Sequence, residues 1–281
     1  MSAKLHLFIG FGDIAAHCSR TLLDQGDRVV GVSRSKRNQP DGIEWLQGDA
    51  GSTEILEKIS QKEFASAVIT LSPDTYDEQA YRQTYFDVSK ALLGRWQIGN
   101  APKKIIFVSS TSVYAQTQDE VVDESSEANP VSPTGKILRE TENLFFESAL
   151  NTIVLRFSGI YGPGRDYLIR QVRQGIAGND AYTNRIHIDD CVGVICFLLN
   201  KECEHNLYLA SDSEPVKGSK IREWMADRIG GKLALSANNA GGRGGSKRCC
   251  NRRLIEEGYR FLYSSYREGY TAELTQNTTH P

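Results

Sequence analysis

The sequence predicts an α/β fold, a doubly wound parallel sheet followed by a smaller C-terminal region. Three observations carry that expectation. Short apolar runs recur with amphipathic stretches between them, the runs are apolar nearly throughout, and the first one ends in a glycine turn that opens into a helix. Parallel strands need a crossover, usually helical, at every return. A strand covered by helices on both faces reads as a continuous apolar run instead of an alternating one.

The elements follow in order. Strands are expected at 5–9, 28–33, 43–47, 67–70, 104–109 and 152–157, where the chain is apolar and rich in Val, Ile, Leu and Phe. Helices are expected at 13–25, 52–62, 77–93 and 136–150, where apolar residues recur at spacings of three and four. Together these make a first domain over residues 1–157. Beyond it the pattern loosens. A Gly/Pro turn, "SGIYGPGR", leads to a helix at 167–175, a strand at 185–188, a helix at 189–199, a strand at 206–210 and a helix at 218–229. The segment "NNAGGRGGSKRCCNRRL" is Gly-rich and basic, and a tail with Tyr259, Phe261, Tyr263, Tyr266 and Tyr270 closes the chain. Residues 158–281 are therefore expected to form a smaller mixed region, with some segments returning to the main sheet.

Composition limits the partners. The 281 residues are 40% hydrophobic and 24% charged, with a net charge of −2. That is an ordinary globular composition without a basic field for nucleic acid or anionic lipid. The single Gly-Arg-Gly in the basic segment is no RNA-binding module by itself. The apolar run 5–9 is too short for a signal-peptide core or a membrane span, so a cytoplasmic protein with no membrane or nucleic-acid partner is expected. The six cysteines form no C-x-x-C pair, and neither a metal site nor a disulfide framework is expected. Cys203 and His205 suggest two ligands at most, and a polar turn explains them better.

The turn "GFGDIA" has Gly10 and Gly12 with Ala15 in the third glycine position. In a G-x-G-x-x-G turn the first glycine permits the bend, the second lets backbone approach a pyrophosphate, and the third packs helix against strand. Amides at the helix start, around Asp13, Ile14 and Ala15, then face the anion. Where NAD binders carry an acid for the ribose, about 20 residues on, this chain has "GVSRSKR". Ser33, Arg34, Lys36 and Arg37 cannot accept from a ribose hydroxyl as Asp does, whereas guanidinium suits a 2′-phosphate. NADP is thus preferred over NAD. Asp49 in "LQGDA" falls near an adenine, and Thr70 and Leu71 in "TLSP" border the nicotinamide side. At the fifth strand, Ser109 to Ser112 bring four hydroxyls to the carboxyl edge of the sheet, where ligands bind in this architecture.

With "GDA", "SSTSVY", "LRFSGIYGPGR" and "RIHIDD", the chain resembles the extended short-chain dehydrogenase/reductase family, the NAD-dependent epimerase/dehydratase group, through about residue 260. The resemblance implies a Rossmann-like nucleotide fold, a nucleotide-sugar-like substrate, and a monomer or homodimer. It also implies a Ser or Thr four residues before the Tyr of the V-Y element, here Ser110, and a Tyr-x-x-x-Lys pair on the next helix. In that family the tyrosine moves the proton, and the lysine lowers its pKa and holds the nicotinamide ribose. Aligning "SPTGKIL" on that element puts Thr134 at the tyrosine position and Leu138 at the lysine position. A frame moved to reach Lys136 pairs it with Ser132, not with a phenol. The chain is similar to an atypical branch that keeps the fold and lacks the dyad.

Ser110 then remains as a candidate catalytic residue, with Tyr161 or His187 as a substitute acid. Histidine as a residue type suits proton transfer near neutral pH, which favours His187, against the commoner outcome of a buried histidine beside Asp189 or Asp190. Tyr114, Arg165 and Arg248 are candidates for substrate binding, the arginines as bidentate phosphate ligands. Lys247 and Arg252 are expected in a solvated loop. Two classes stay open: an oxidoreductase or epimerase with a displaced acid, and a non-catalytic NADP(H)-binding sensor or regulatory protein.

Overall fold

The computed structural model describes residues 3–35, 40–234 and 245–278. Lys36 and Arg37 of the basic loop and the Gly-rich stretch 235–244 lie outside them.

A seven-stranded parallel sheet organises the chain. Its first half runs β1 (Leu5–Ile9), α1 (Asp13–Asp24), β2 (Arg28–Ser33), β3 (Ile43–Gln47), α2 (Thr53–Ser60) and β4 (Ser66–Ile69). Next come α3 (Glu78–Tyr81), a π-helical turn (Arg82–Asp87), α4 (Val88–Gln97), β5 (Ile105–Ser110), a short β6 (Glu120–Val122), α5 (Pro133–Phe146) and β7 (Thr152–Phe157). After these are β8 (Gly159–Tyr161), α6 (Tyr167–Arg173), β9 (Tyr182–Thr183), β10 (Arg185–His187), α7 (Ile188–Asn200) and β11 (Leu207–Ala210). The chain finishes with β12 (Val216–Lys217), α8 (Gly218–Ile229), β13 (Lys247–Cys249), α9 (Arg252–Glu256) and α10 (Tyr266–Thr278). Across the sheet the order is β11-β7-β5-β4-β1-β2-β3, so the direction of winding reverses between β1 and β4. Crevices at such a reversal are where open α/β sheets take ligands.

Burial explains the apolar runs. β4 and β7 are buried along their whole length, whereas the edge strand β3 is half-buried or exposed throughout. The helices start where side chains can cap them: Ser52 accepts from the Ile55 amide, and Ser132, followed by Pro133, accepts from that of Gly135. The helix expected over 77–93 is instead two α segments joined by a π turn. Periodicity does not reveal such a bulge, because one extra residue per turn leaves the apolar count unchanged.

The chain separates into two compact units, one of residues 1–113, 129–156 and 192–208, the other of 114–128, 157–191 and 209–281. In the second unit β8 pairs with β10, β9 with β12, and β6 with β13. Its core gathers Tyr161, Val172, Ile221, Trp224, Met225, Tyr266 and Tyr270. The aromatic tail is thus partly helical, with Tyr266 and Tyr270 one turn apart on α10 and both buried. Asp190 anchors that tail by accepting from the Tyr259 hydroxyl at 3.0 Å and from the amides of Leu262 and Tyr263 at 2.7 and 2.9 Å. Among the described residues no helix is long and apolar enough to cross a membrane.

Candidate functional site

The first unit holds a groove of about 1110 Å³ at the carboxyl ends of β1, β2, β3 and β4. Gly10 sits where β1 stops, with φ +82°, a conformation that glycine tolerates and side-chain-bearing residues resist. A Cβ there would also come within 2.8 Å of the Thr70 carbonyl oxygen. The Thr70 hydroxyl donates to the Gly10 carbonyl at 2.6 Å, which ties the β1 and β4 ends together. Gly12 differs in kind. It caps α1 with φ −88°, makes no side-chain cap, and a Cβ on it would meet nothing within 4 Å. Neither sterics nor backbone conformation therefore requires glycine at that position. What its missing side chain leaves is an open cradle at a helix N-terminus. Ile14 and Ala15 are buried behind it, and Asp13 accepts from the Ile14 amide at 2.9 Å.

Of the residues read from the sequence as nucleotide ligands, Gly10, Gly12, Asp13, Ser33, Arg34, Asp49, Thr70 and Leu71 line this groove. The Asp49 carboxylate accepts from the Gly51 amide at 2.9 Å, and the Ser33 hydroxyl donates to the Ser35 carbonyl at 2.7 Å. Arg34 donates through Nη2 to Asp74 at 2.7 Å, a contact that holds its guanidinium pKa above the usual value. Asp74, Gln83, Thr84 and Asp87 also line the groove and were missed. The last three sit on the π turn, itself a recurrent marker of functional sites that only backbone geometry reveals.

Ser109 does not line the groove. It is buried, and its hydroxyl donates to Glu142 Oε1 at 2.7 Å. Glu142 in turn accepts from Arg156 through Nε at 2.8 Å and Nη2 at 2.6 Å, so β5, α5 and β7 are joined by one buried ionic network. This hydroxyl helps satisfy a buried carboxylate inside the fold. Ser110 is half-buried and accepts from the Ser112 amide at 3.1 Å. On α5, Thr134 is half-buried, Lys136 is exposed, and Leu138 is 4% exposed in the core.

In the second unit Tyr161 is buried, stacked on Tyr270 with centroids 4.5 Å apart and edge-on to His187 at 5.1 Å. Among the described residues its hydroxyl has no hydrogen-bond partner, and burial pushes its pKa up. A substitute acid needs to reach the substrate oxygen, and this phenol is only 3% exposed. His187, 2% exposed, accepts the Asp189 amide on Nδ1 at 3.2 Å and places Nε2 3.3 Å from Glu273. That is a satisfied interior histidine. Tyr114 is buried as well, its hydroxyl donating to the Asp123 carbonyl at 2.6 Å.

Arg165 is half-buried and lines a cavity of about 490 Å³ with Arg173, Tyr270 and Glu273. Arg248 is exposed, donates to the Asp119 carbonyl at 2.9 Å, and lies 5.6 Å from the Tyr182 ring, away from that cavity's lining. Lys247 is not in a solvated loop. It is 3% exposed because β13 pairs with β6, its Nζ donates to the Tyr114 carbonyl at 3.0 Å, and burial lowers its pKa.

Comparison with known proteins agrees with this architecture. The chain is 32% identical to the protein YeeZ of Escherichia coli (strain K12) over 106 residues, 37% of this chain and 38% of that one. It therefore spans well under two thirds of that relative's length. A solved structure from Methylobacillus flagellatus, described as a putative NAD-dependent epimerase/dehydratase, superposes with a TM-score of 0.84 at 31% identity, covering 99% of this chain and 100% of that one. MoeE5, bound to UDP-glucuronic acid and NAD, shares the fold with a TM-score of 0.80 at 20% identity, covering 98% and 100%. The model of the NAD dependent epimerase/dehydratase family matches residues 10–208, and the chain belongs to that family.

Proposed function

We propose that this protein binds NADP(H) in the groove of the first unit and does not run the Tyr-Lys proton relay. The cradle at Gly12 carries the first half. Its open side supports a pyrophosphate over the start of α1, with Gly10, Asp13, Ile14 and Ala15 forming the turn and helix entry. Ser33 and Arg34 would meet the adenosine ribose and its 2′-phosphate, Asp49 the adenine, and Thr70 and Leu71 the nicotinamide side. When bound, the nicotinamide supplies hydride chemistry. The second half rests on α5. With Thr134 and the buried Leu138 in the family's two positions, no phenol or ammonium stands there to move a proton.

The half-buried Ser110 favours a second reading, an oxidoreductase or epimerase acting on a nucleotide sugar such as the ligand of MoeE5. In that reading Arg165 is a phosphate ligand in the cavity of the second unit, and Tyr161 or His187 is the substitute acid.

A fluorescence titration with NADPH and NADH on wild type and Arg34→Ala tests the cofactor half. NADPH binding that weakens in the variant while NADH binding holds supports it, and absence of binding by either nucleotide refutes it. Long incubation of the NADP+ complex with UDP-glucose and UDP-glucuronic acid separates the two readings. Cofactor reduction or epimerised sugar refutes the non-catalytic one.

A further inference from the structure

The ion pair between Arg34 and Asp74 joins residues 40 positions apart, at the end of β2 and in the loop after β4. The Nη2–Oδ1 distance is 2.7 Å, and both residues line the groove. Their side chains are 63% and 69% exposed. An ion pair this open contributes little to folding, so its place in the fold is not explained by stability. Its place at the groove is informative. Among the described residues lining that groove Arg34 is the one cation, faced by the carboxylates of Asp13, Asp49, Asp74 and Asp87. A carboxylate held by one guanidinium nitrogen occupies a donor that a phosphate monoester would also use.

We propose that Asp74 is a specificity-determining residue, an internal competitor that occupies Arg34 and restrains affinity for 2′-phosphorylated dinucleotides relative to NAD(H). This rests on the reading that Arg34 faces the adenosine ribose. A nucleotide with a free 2′-hydroxyl leaves the ion pair intact. A 2′-phosphate competes with Asp74 for the Nη2 donor and lies beside its carboxylate, which repels it. The chain thereby accepts both nucleotides with a smaller preference than its basic loop would give alone.

The test is a titration of NADPH and NADH on wild type, Asp74→Asn, Arg34→Ala and the double variant, at low and moderate salt. Asn keeps the side-chain shape, and the site is exposed enough to fold in every variant. In Asp74→Asn the NADPH Kd is expected to fall about two- to fivefold while the NADH Kd stays unchanged, a range set by exposed ion pairs. That gain should vanish in the Arg34→Ala background. Unchanged or weaker NADPH binding in Asp74→Asn overturns the proposal. So does an equal gain with Arg34 absent, which indicates general charge repulsion instead of competition. Failure of wild type to bind either nucleotide, or an Arg34→Ala variant that still binds NADPH fully, overturns the underlying cofactor reading as well and is distinguishable from both.

Discussion

Asp212 offers a quantitative test of how the second unit is held together. It is 1% exposed, its Oδ1 accepts from the Glu214 amide at 3.2 Å, and its Oδ2 has no hydrogen-bond partner among the described residues. Burial pushes its pKa from 3.8 to about 8, against the lowering effects of that amide and of Arg185. The folded state therefore keeps a proton that the unfolded chain releases near pH 4. Below pH 4 both states hold it and Asp212 carries no penalty. Between pH 4 and 8 the folded state binds more protons than the unfolded one, so stability falls as pH rises, and the loss levels off above pH 8. A shift of about four units at 1.36 kcal/mol each sets a ceiling of roughly 6 kcal/mol, of which about 4 is present at pH 7. Asp212→Asn mimics the protonated side chain and removes the pH-dependent part. Thermal unfolding followed by circular dichroism should give equal Tm for the two proteins near pH 4 and a variant Tm higher by roughly 10 °C at pH 8. A Tm difference that stays constant from pH 4 to 9 would falsify the assignment, because the penalty would then not come from this carboxyl group.

Three other outcomes follow from the same geometry. Gly12→Ala should leave Tm within about 1 °C of wild type, since its Cβ meets no atom, yet weaken NADPH binding more than about tenfold by filling the cradle; parallel losses in Tm and affinity would show that Gly12 is structural. Glu142→Gln strips the buried Arg156 of its counter-charge and should lower stability by about 3–5 kcal/mol in urea unfolding, whereas Ser109→Ala should cost about 1 kcal/mol. Tyr161→Phe should keep or raise stability by up to about 1–2 kcal/mol, because the hydroxyl it deletes is buried without a partner among the described residues. The same variant should leave any measured turnover unchanged, and a loss of turnover would restore Tyr161 as the acid.

Much of the fold was legible in the sequence because its signals are local. The apolar runs at 5–9, 28–33, 43–47 and 152–157 became β1, β2, β3 and β7 with those bounds. The inner strands are covered on both faces and so read as nearly continuous apolar runs, whereas β3 lies at the sheet edge and is only half-buried. The glycine turn was legible for the same reason, as its spacing follows from the bend it must make within a few residues. The tail was read less well. Tyr266 and Tyr270 carried the helical spacing, but the polar residues between them hid it, and only packing in the second core makes α10 a helix.

At the candidate site the division is sharper. The sequence by itself determined which residues crowd the carboxyl edge of the sheet: the glycines, Arg34, Asp49, Thr70 and the serines that end β5. Only the tertiary structure decided what their side chains do. Ser109 and Ser110 are neighbours with the same hydroxyl, yet Ser109 is bound to Glu142, 33 positions away, while Ser110 remains half-buried. Asp74 meets Arg34 across 40 positions, and Lys247 meets Tyr114 across 133. Such partners cannot be found from spacing, because period and composition describe a segment's own faces. Hydrogen bonds and buried charges are satisfied by whichever segment the sheet brings alongside.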